Sequence, residues 1–252
     1  MTTEDTIPAP TRRHSVLDPR PRWWRRPWIL PLAVVAVLFV AFSLPRYLTF
    51  DPALSRVQQP TVALHYPVLV AHVIFGSIAM LTCCLQVWPR LRRKYPAAHR
   101  MVGRAYVFVG VVPAGVAALV LGATTPFGPV AMASNLMLAV LWLGCTVIGF
   151  RAARQHRYAD HRRWMIRSFA LTLSIITNRV WAVLVFIALE PQLDTTFGGN
   201  EALLRQAVGG TVAWLSWTVP LLAVQWWLER DFRRARPAAK FLAVPEREGK
   251  SG

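Results

Sequence analysis

Two phrases of this sequence set a histidine and several arginines at the threshold of a hydrophobic run. KYPAAHRMVGRAYVF at 94–108 carries His99, Arg100 and Arg104, and HRYADHRRWMIRSF at 156–169 carries His161, Arg163 and Arg167. Two imidazoles that face each other can supply both axial nitrogens of a b-type haem, with nearby arginines for its propionates. The same residue types also make ordinary interfacial anchors, with arginines snorkelling to lipid phosphates and Trp164 in an aromatic belt. The residues alone leave both readings open, so the elements that position them decide.

The chain has 252 residues, is 54% hydrophobic and 16% charged, and carries a net charge of +17. A pI near 11.4 would suit nucleic-acid binding, but the basic residues are confined to short blocks between long apolar segments, which excludes that class. Crossing a hydrocarbon core of about 30 Å takes roughly 20 apolar residues. Six segments meet that length, approximately 28–44, 66–88, 105–122, 130–150, 164–189 and 207–228. The third and fourth are separated by TTPFGP, whose prolines and glycine break a helix. The expected fold is all-α, a polytopic membrane protein whose helices two to five form a four-helix core bundle flanked by helices one and six.

Charge placement predicts the orientation. The N-terminal tail, the 89–104 loop and the 151–167 loop carry six basic residues each and the C-terminal tail seven, 25 of the 29 in the chain. The positive-inside rule then makes both termini and both basic loops cytoplasmic, in a bacterial-type inner membrane, with anionic head groups as lipid partners. RPRWWRRP ahead of the first segment resembles a signal-peptide n-region, but no small-residue cleavage site follows, so an uncleaved anchor is expected. The chain divides into a disordered basic tail at 1–26, a membrane domain at 27–229 with its core at 65–190, and a C-terminal tail at 230–252. Cys83, Cys84 and Cys145 have no metal-type spacing and read as small packing residues.

RKYPAAHR and QHRYADHR are similar enough to suggest duplication of a helical hairpin. Helices three and five both start from the cytoplasmic side, so they run parallel and are diagonal partners across a four-helix bundle. His99 and His161 then lie at similar depth, positioned as ligands to the iron of one haem b, with Arg100, Arg104 and Arg167 beside them. Pro113 is expected to kink helix three or to mark a local opening in it. Gln86 and Gln225, near the cytoplasmic ends of helices two and six, suit interhelical hydrogen bonds.

His72 with Gly76, His99-Arg100, Gly103-Arg104 with Tyr106, and His161 with Trp164-Met165 and Arg167-Ser168 together resemble a prokaryotic membrane family known as domain of unknown function 2306. The resemblance covers roughly residues 65–190 and implies a fold rather than an activity. The helix plan is also similar to six-helix dihaem cytochromes b. In those, histidine pairs on helices three and five and on helices two and four hold the two haems. Here helix four offers Asn135 where that plan wants a histidine, so the resemblance implies one haem, on the cytoplasmic side.

Arg179 lies about 16 Å of helix rise from Glu190 and about 22 Å from Trp164. An unpaired arginine there costs about 2.5 kcal/mol or more, so it is expected to face the bundle interior. His72 and Asn135 are expected at comparable depth, with His65 one heptad from His72 at the outer rim. These four residues would form an outer pocket for a quinone, another small electron donor or a carboxylate. A haem-free transporter or binding protein using that pocket, or a structural partner of a membrane complex, are the alternatives. No P-loop, zinc signature, nucleophile elbow or dinucleotide fingerprint occurs, and the membrane segments hold no Asp or Glu for a proton relay.

Overall fold

The structure, a computed structural model, describes residues 28–55 and 63–234. The polar tail expected at 1–26 and the end of the chain from residue 235 lie outside the described residues. Among those described, the ordered elements are all helical, and six helices are long and apolar enough to cross a membrane. The first span joins α1 (Ile29–Ser43) to α2 (Pro45–Leu48), and the second is α3 (His65–Gln86). A short helix, α4 (Pro89–Lys94), leads into the third span. That span comprises α5 (Pro96–Arg104), a π-helical segment (Ala105–Val111) and α6 (Val112–Ala123). The fourth is α7 (Gly128–Arg154), the fifth is split into α8 (Tyr158–Thr172) and α9 (Ser174–Leu189), and the sixth is α10 (Glu201–Arg234).

The spans are longer than their apolar runs. The third begins at Pro96 rather than 105, and α8 begins at Tyr158, ahead of the apolar stretch Ser174–Gln192 of the fifth, so most of both basic phrases is helical. Pro96 starts α5 where a missing N–H costs nothing. At the end of α7, His156 takes a left-handed conformation, with φ of 59°. Arg157 and His156 then donate backwards to the carbonyls of Ala152 and Ala153, at 2.9 and 3.1 Å, closing the helix in a Schellman turn.

Three interruptions of helical geometry shape the bundle. Pro113 opens the third span, as one of the two sequence readings had it. Its ring would clash with the carbonyl four residues earlier, and the wider π-turns over Ala105–Val111 move the preceding backbone aside. Pro220 lies inside α10 and leaves the carbonyl of Ser216 without its helical donor. The Thr177 hydroxyl donates to that carbonyl across the interface. The third interruption, at Leu173, has neither proline nor glycine. The Thr172 hydroxyl donates to the Ser168 carbonyl at 2.9 Å, in competition with the backbone ladder, and Ile176 N–H bonds Leu173 O in a tighter turn.

That break corrects the expected four-helix core. α8 packs on α7, α10 and α3, whereas α9 leaves the bundle and leans on α10. In turn α10 packs along α7, with Leu204, Val212, Ala213 and Trp217 buried. The Trp217 indole donates to Ser134 Oγ at 2.9 Å, so the sixth span belongs to the core and not to its flank. The first span does lie outside, against α3. The central cluster joins Ala79, Met80, Cys83 and Cys84 of α3 to Tyr106, Val107, Val111 and Ala114 of the third span, with Trp142 and Cys145 of α7. All three cysteines are buried and unbridged within it.

The backbones of α3 and the π-helical segment approach closely. A Cβ on Gly110 would stand 2.8 Å from Cα of Ala79, an overlap with backbone that no rotamer change relieves. Gly110→Ala should therefore destabilise the protein by about 1–3 kcal/mol, the usual range for overpacking. Gly144→Ala, where nothing lies within 4 Å, should be neutral or gain up to about 1 kcal/mol of helix propensity. Thermal unfolding in detergent checks this pair, and a Gly110→Ala protein at least as stable as the parent would refute the close approach.

Candidate functional site

His99 and His161 hold the same place in their helices, each the fourth residue of α5 or α8. Each also donates its backbone N–H to the residue just ahead of the helix, His99 to Tyr95 O at 3.0 Å and His161 to Arg157 O at 2.9 Å. Both side chains are half-buried, and the two imidazoles lie within electrostatic range of each other. Arg92 and Arg100 also act on His99 electrostatically.

The ring nitrogens are in different states. Nδ1 of His161 lies 2.9 Å from the carbonyl oxygen of Gly149, which can only accept, so Nδ1 carries a proton and, in the neutral ring, the lone pair is on Nε2. A carbonyl that orients the ring in this way is also the usual companion of an imidazole that binds a metal. Nδ1 of His99 is buried with no hydrogen-bond partner. The His99 backbone, by contrast, is held by Gln86, whose side-chain amide donates to its carbonyl at 3.0 Å.

The arginines divide. Arg100 and Arg104 are exposed on α5. Arg167 is half-buried, lies 4.8 Å over the Trp164 ring and donates from Nε and Nη2 to Oε1 of Gln225, at 3.1 and 2.7 Å. Gln225 passes the chain on by donating to Glu229 at 3.0 Å. Both glutamines thus make the interhelical bonds expected of them. Arg167 serves as a clamp between α8 and α10.

Above the histidines lies a buried polar cluster that the sequence reading did not assemble. Tyr106, 1% exposed, places its hydroxyl 2.5 Å from Ser168 Oγ and 2.8 Å from Thr172 Oγ1. The Trp142 indole donates to Thr172 Oγ1 at 2.9 Å, and Thr146 Oγ1 meets Ser168 Oγ at 2.6 Å. Tyr106 and Ser168 were visible in the sequence only as parts of the family resemblance. Their available signal was spacing, since each follows its histidine by seven residues.

The outer pocket does not assemble as expected. Arg179 is exposed on α9, not turned into the bundle, because the break at Leu173 changes the direction and rotational phase of the helix that carries it. His72 and Asn135 are not level. α3 pairs with the third span antiparallel, Gly110 against Ala79 and Gly103 against Gln86, which brings His72 opposite Ala117. Asn135 instead packs beside Gly122, so the two are about 7 Å apart in depth. His72 Nδ1 donates to Ala114 O at 2.9 Å. His65, 3% exposed, donates from Nδ1 to Thr124 Oγ1 at 2.9 Å, because the only hydroxyl proton of Thr124 goes to Val120 O. Each of these histidines ties α3 to the third span. Among the described residues, no group of three or more His, Cys, Asp or Glu side chains is arranged to hold a metal ion.

Six apolar helices, an interior crossed by paired hydroxyls, and a histidine pair near the end that bears the basic loops define a multi-pass α-helical membrane protein. The chain belongs to the family described as "Predicted membrane protein (DUF2306)", whose model matches residues 69–228. That match runs through the sixth span, further than the 65–190 of the sequence resemblance and in keeping with the packing of α10 into the core. Neither the curated proteins nor the solved structures give a match to the chain.

The Arg167 clamp generates a stability test. Gln225→Leu leaves a half-buried guanidinium without its acceptor and should cost about 1–3 kcal/mol. Gln225→Glu keeps an acceptor in place and should cost less. Equal melting temperatures for the parent and Gln225→Leu in detergent would show that the bond contributes nothing.

Proposed function

We propose that this protein is a membrane electron-transfer protein that binds one haem b through His99 and His161. The observation that carries the reading is the contrast between the two rings. One buried nitrogen of His99 lacks a partner, and within electrostatic range His161 has its Nδ1 proton fixed by Gly149 so that Nε2 is free to donate. An uncompensated buried polar atom costs about 1–3 kcal/mol, and a ligand would remove that cost. The donor set is chemically suited to haem iron, since paired neutral imidazoles are common axial ligands.

In this reading His99 and His161 hold the iron, Gly149 fixes the tautomer and orientation of His161, and Gln86 fixes the backbone that carries His99. Arg100 and Arg104, on α5 beside His99, supply positive charge for the propionates. A bound haem would supply one-electron redox chemistry near the basic, cytoplasmic side of an inner membrane. A quinone or small electron donor would be the exchange partner. The transporter reading depended on Arg179 lining an interior pocket, and its exposure on α9 removes that support.

The test is the absorption spectrum of detergent-purified protein, oxidised and then dithionite-reduced, after expression with ample haem supply. A Soret band and a sharp reduced α-band are expected, with tenfold or greater loss in His99→Ala and His161→Ala and no loss in Arg179→Ala. A colourless parent protein, or bands that persist in both histidine variants, would overturn the proposal.

A further inference from the structure

The Tyr106 cluster has a consequence for the histidines. His99 and Tyr106 are seven residues apart, as are His161 and Ser168. Seven residues of α-helix return to the same face within about 20° and climb about 10 Å. His161, Ser168 and Thr172 therefore lie along one stripe of α8. The heptad from His99 is α-helical as far as Arg104 and only its last two residues enter the π-helical segment, so Tyr106 stays near the His99 face of the third span. The two spans run in the same direction. A bond joining Tyr106 to Ser168 thus joins the stripes at equal height, and one heptad below it His99 is brought opposite His161.

The hydrogen-bond inventory argues that this cluster is a fastener rather than a binding pocket. The Tyr106, Thr146, Ser168 and Thr172 hydroxyls and the Trp142 indole supply five protons. Six contacts compete for them, so the Tyr106 proton is shared between two acceptors: Tyr106 with Ser168 and with Thr172, Trp142 with Thr172, Ser168 with Thr146, Thr146 with Trp142 O, and Thr172 with Ser168 O. No donor is left for a ligand. The cluster also sits where the backbone is least regular, with Tyr106 in the π-helical segment and Thr172 beside the break at Leu173.

We propose that the Tyr106 hydroxyl is a positioning group that holds the third span and α8 in the register that sets His99 against His161. The importance of that register for haem rests on the function proposed above, but the register itself can be measured without haem. Spin labels are placed at His99→Cys and His161→Cys in the full chain carrying Cys83→Ala, Cys84→Ala and Cys145→Ala, and dipolar broadening is recorded in detergent. Strong broadening is expected, falling by half or more when Tyr106→Phe or Thr172→Val is added. Trp217→Phe removes an interhelical bond remote from the pair, to Ser134, and should leave the broadening unchanged although it also lowers stability.

Unchanged broadening in both Tyr106→Phe and Thr172→Val would overturn the proposal, as would an equal loss in Trp217→Phe. If Tyr106→Phe does not fold, Thr172→Val and Ser168→Ala decide in its place. Where the parent protein carries haem, Tyr106→Phe should also convert at least half of its low-spin spectrum to high-spin, a change that lost stability alone does not produce. A colourless parent with strong, Tyr106-dependent broadening would remove the haem reading and leave the positioning role intact.

Discussion

A hydroxyl buried between membrane helices has no water to turn to, and this constraint organises the molecule. Each unpaired polar group in hydrocarbon costs several kcal/mol, so hydroxyls must find one another or a spare carbonyl. Tyr106 finds Ser168 and Thr172, and Thr177 finds the carbonyl that Pro220 strands at Ser216. A single interhelical bond in a membrane contributes only about 0.6 kcal/mol on average, because the separated helices find other partners. Its larger effect is on geometry: it selects one register among many apolar packings of similar energy.

The division of labour along the fifth span follows from that selection. α8 is fixed to α7, to the third span through Tyr106, and to α10 through Arg167 and Gln225. α9 rests mainly on α10, exposing Val180, Val183, Leu184, Phe186 and Ile187. In a bilayer this is a lipid-facing surface. Precision is therefore concentrated in the half of the bundle next to the basic loops, where His99 and His161 lie. The haem proposed above would need a fixed separation between its ligands, and this half of the fold is the more tightly tied.

The coarse fold was legible because hydrophobic length and basic blocks report directly on the bilayer. His99 and His161 could be singled out because the two phrases repeat, and the structure gives them matching helical positions. The expectation for Arg179 missed an interruption of its own span, whereas His72 and Asn135 lie on unbroken helices whose relative register no count along one helix gives. Counting residues from a helix end assumes an uninterrupted 3.6-residue period, and the chain breaks that period at Leu173 and widens it over Ala105–Val111. Proline marked the second site, but the first depends on hydroxyls that compete with the backbone and that leave only a weak trace in composition. The place of α10 in the core was equally hidden, since a Trp217–Ser134 bond across two distant spans has no local pattern.

The central claim is that the two parallel helices present one facing histidine pair suited to a single haem. Titrating haemin into the apoprotein in detergent, with the low-spin iron signal as readout, tests it directly. The account predicts saturation at one equivalent per chain, with both His99 and His161 needed for the low-spin species. Absence of any low-spin species, or saturation at two equivalents, would contradict it.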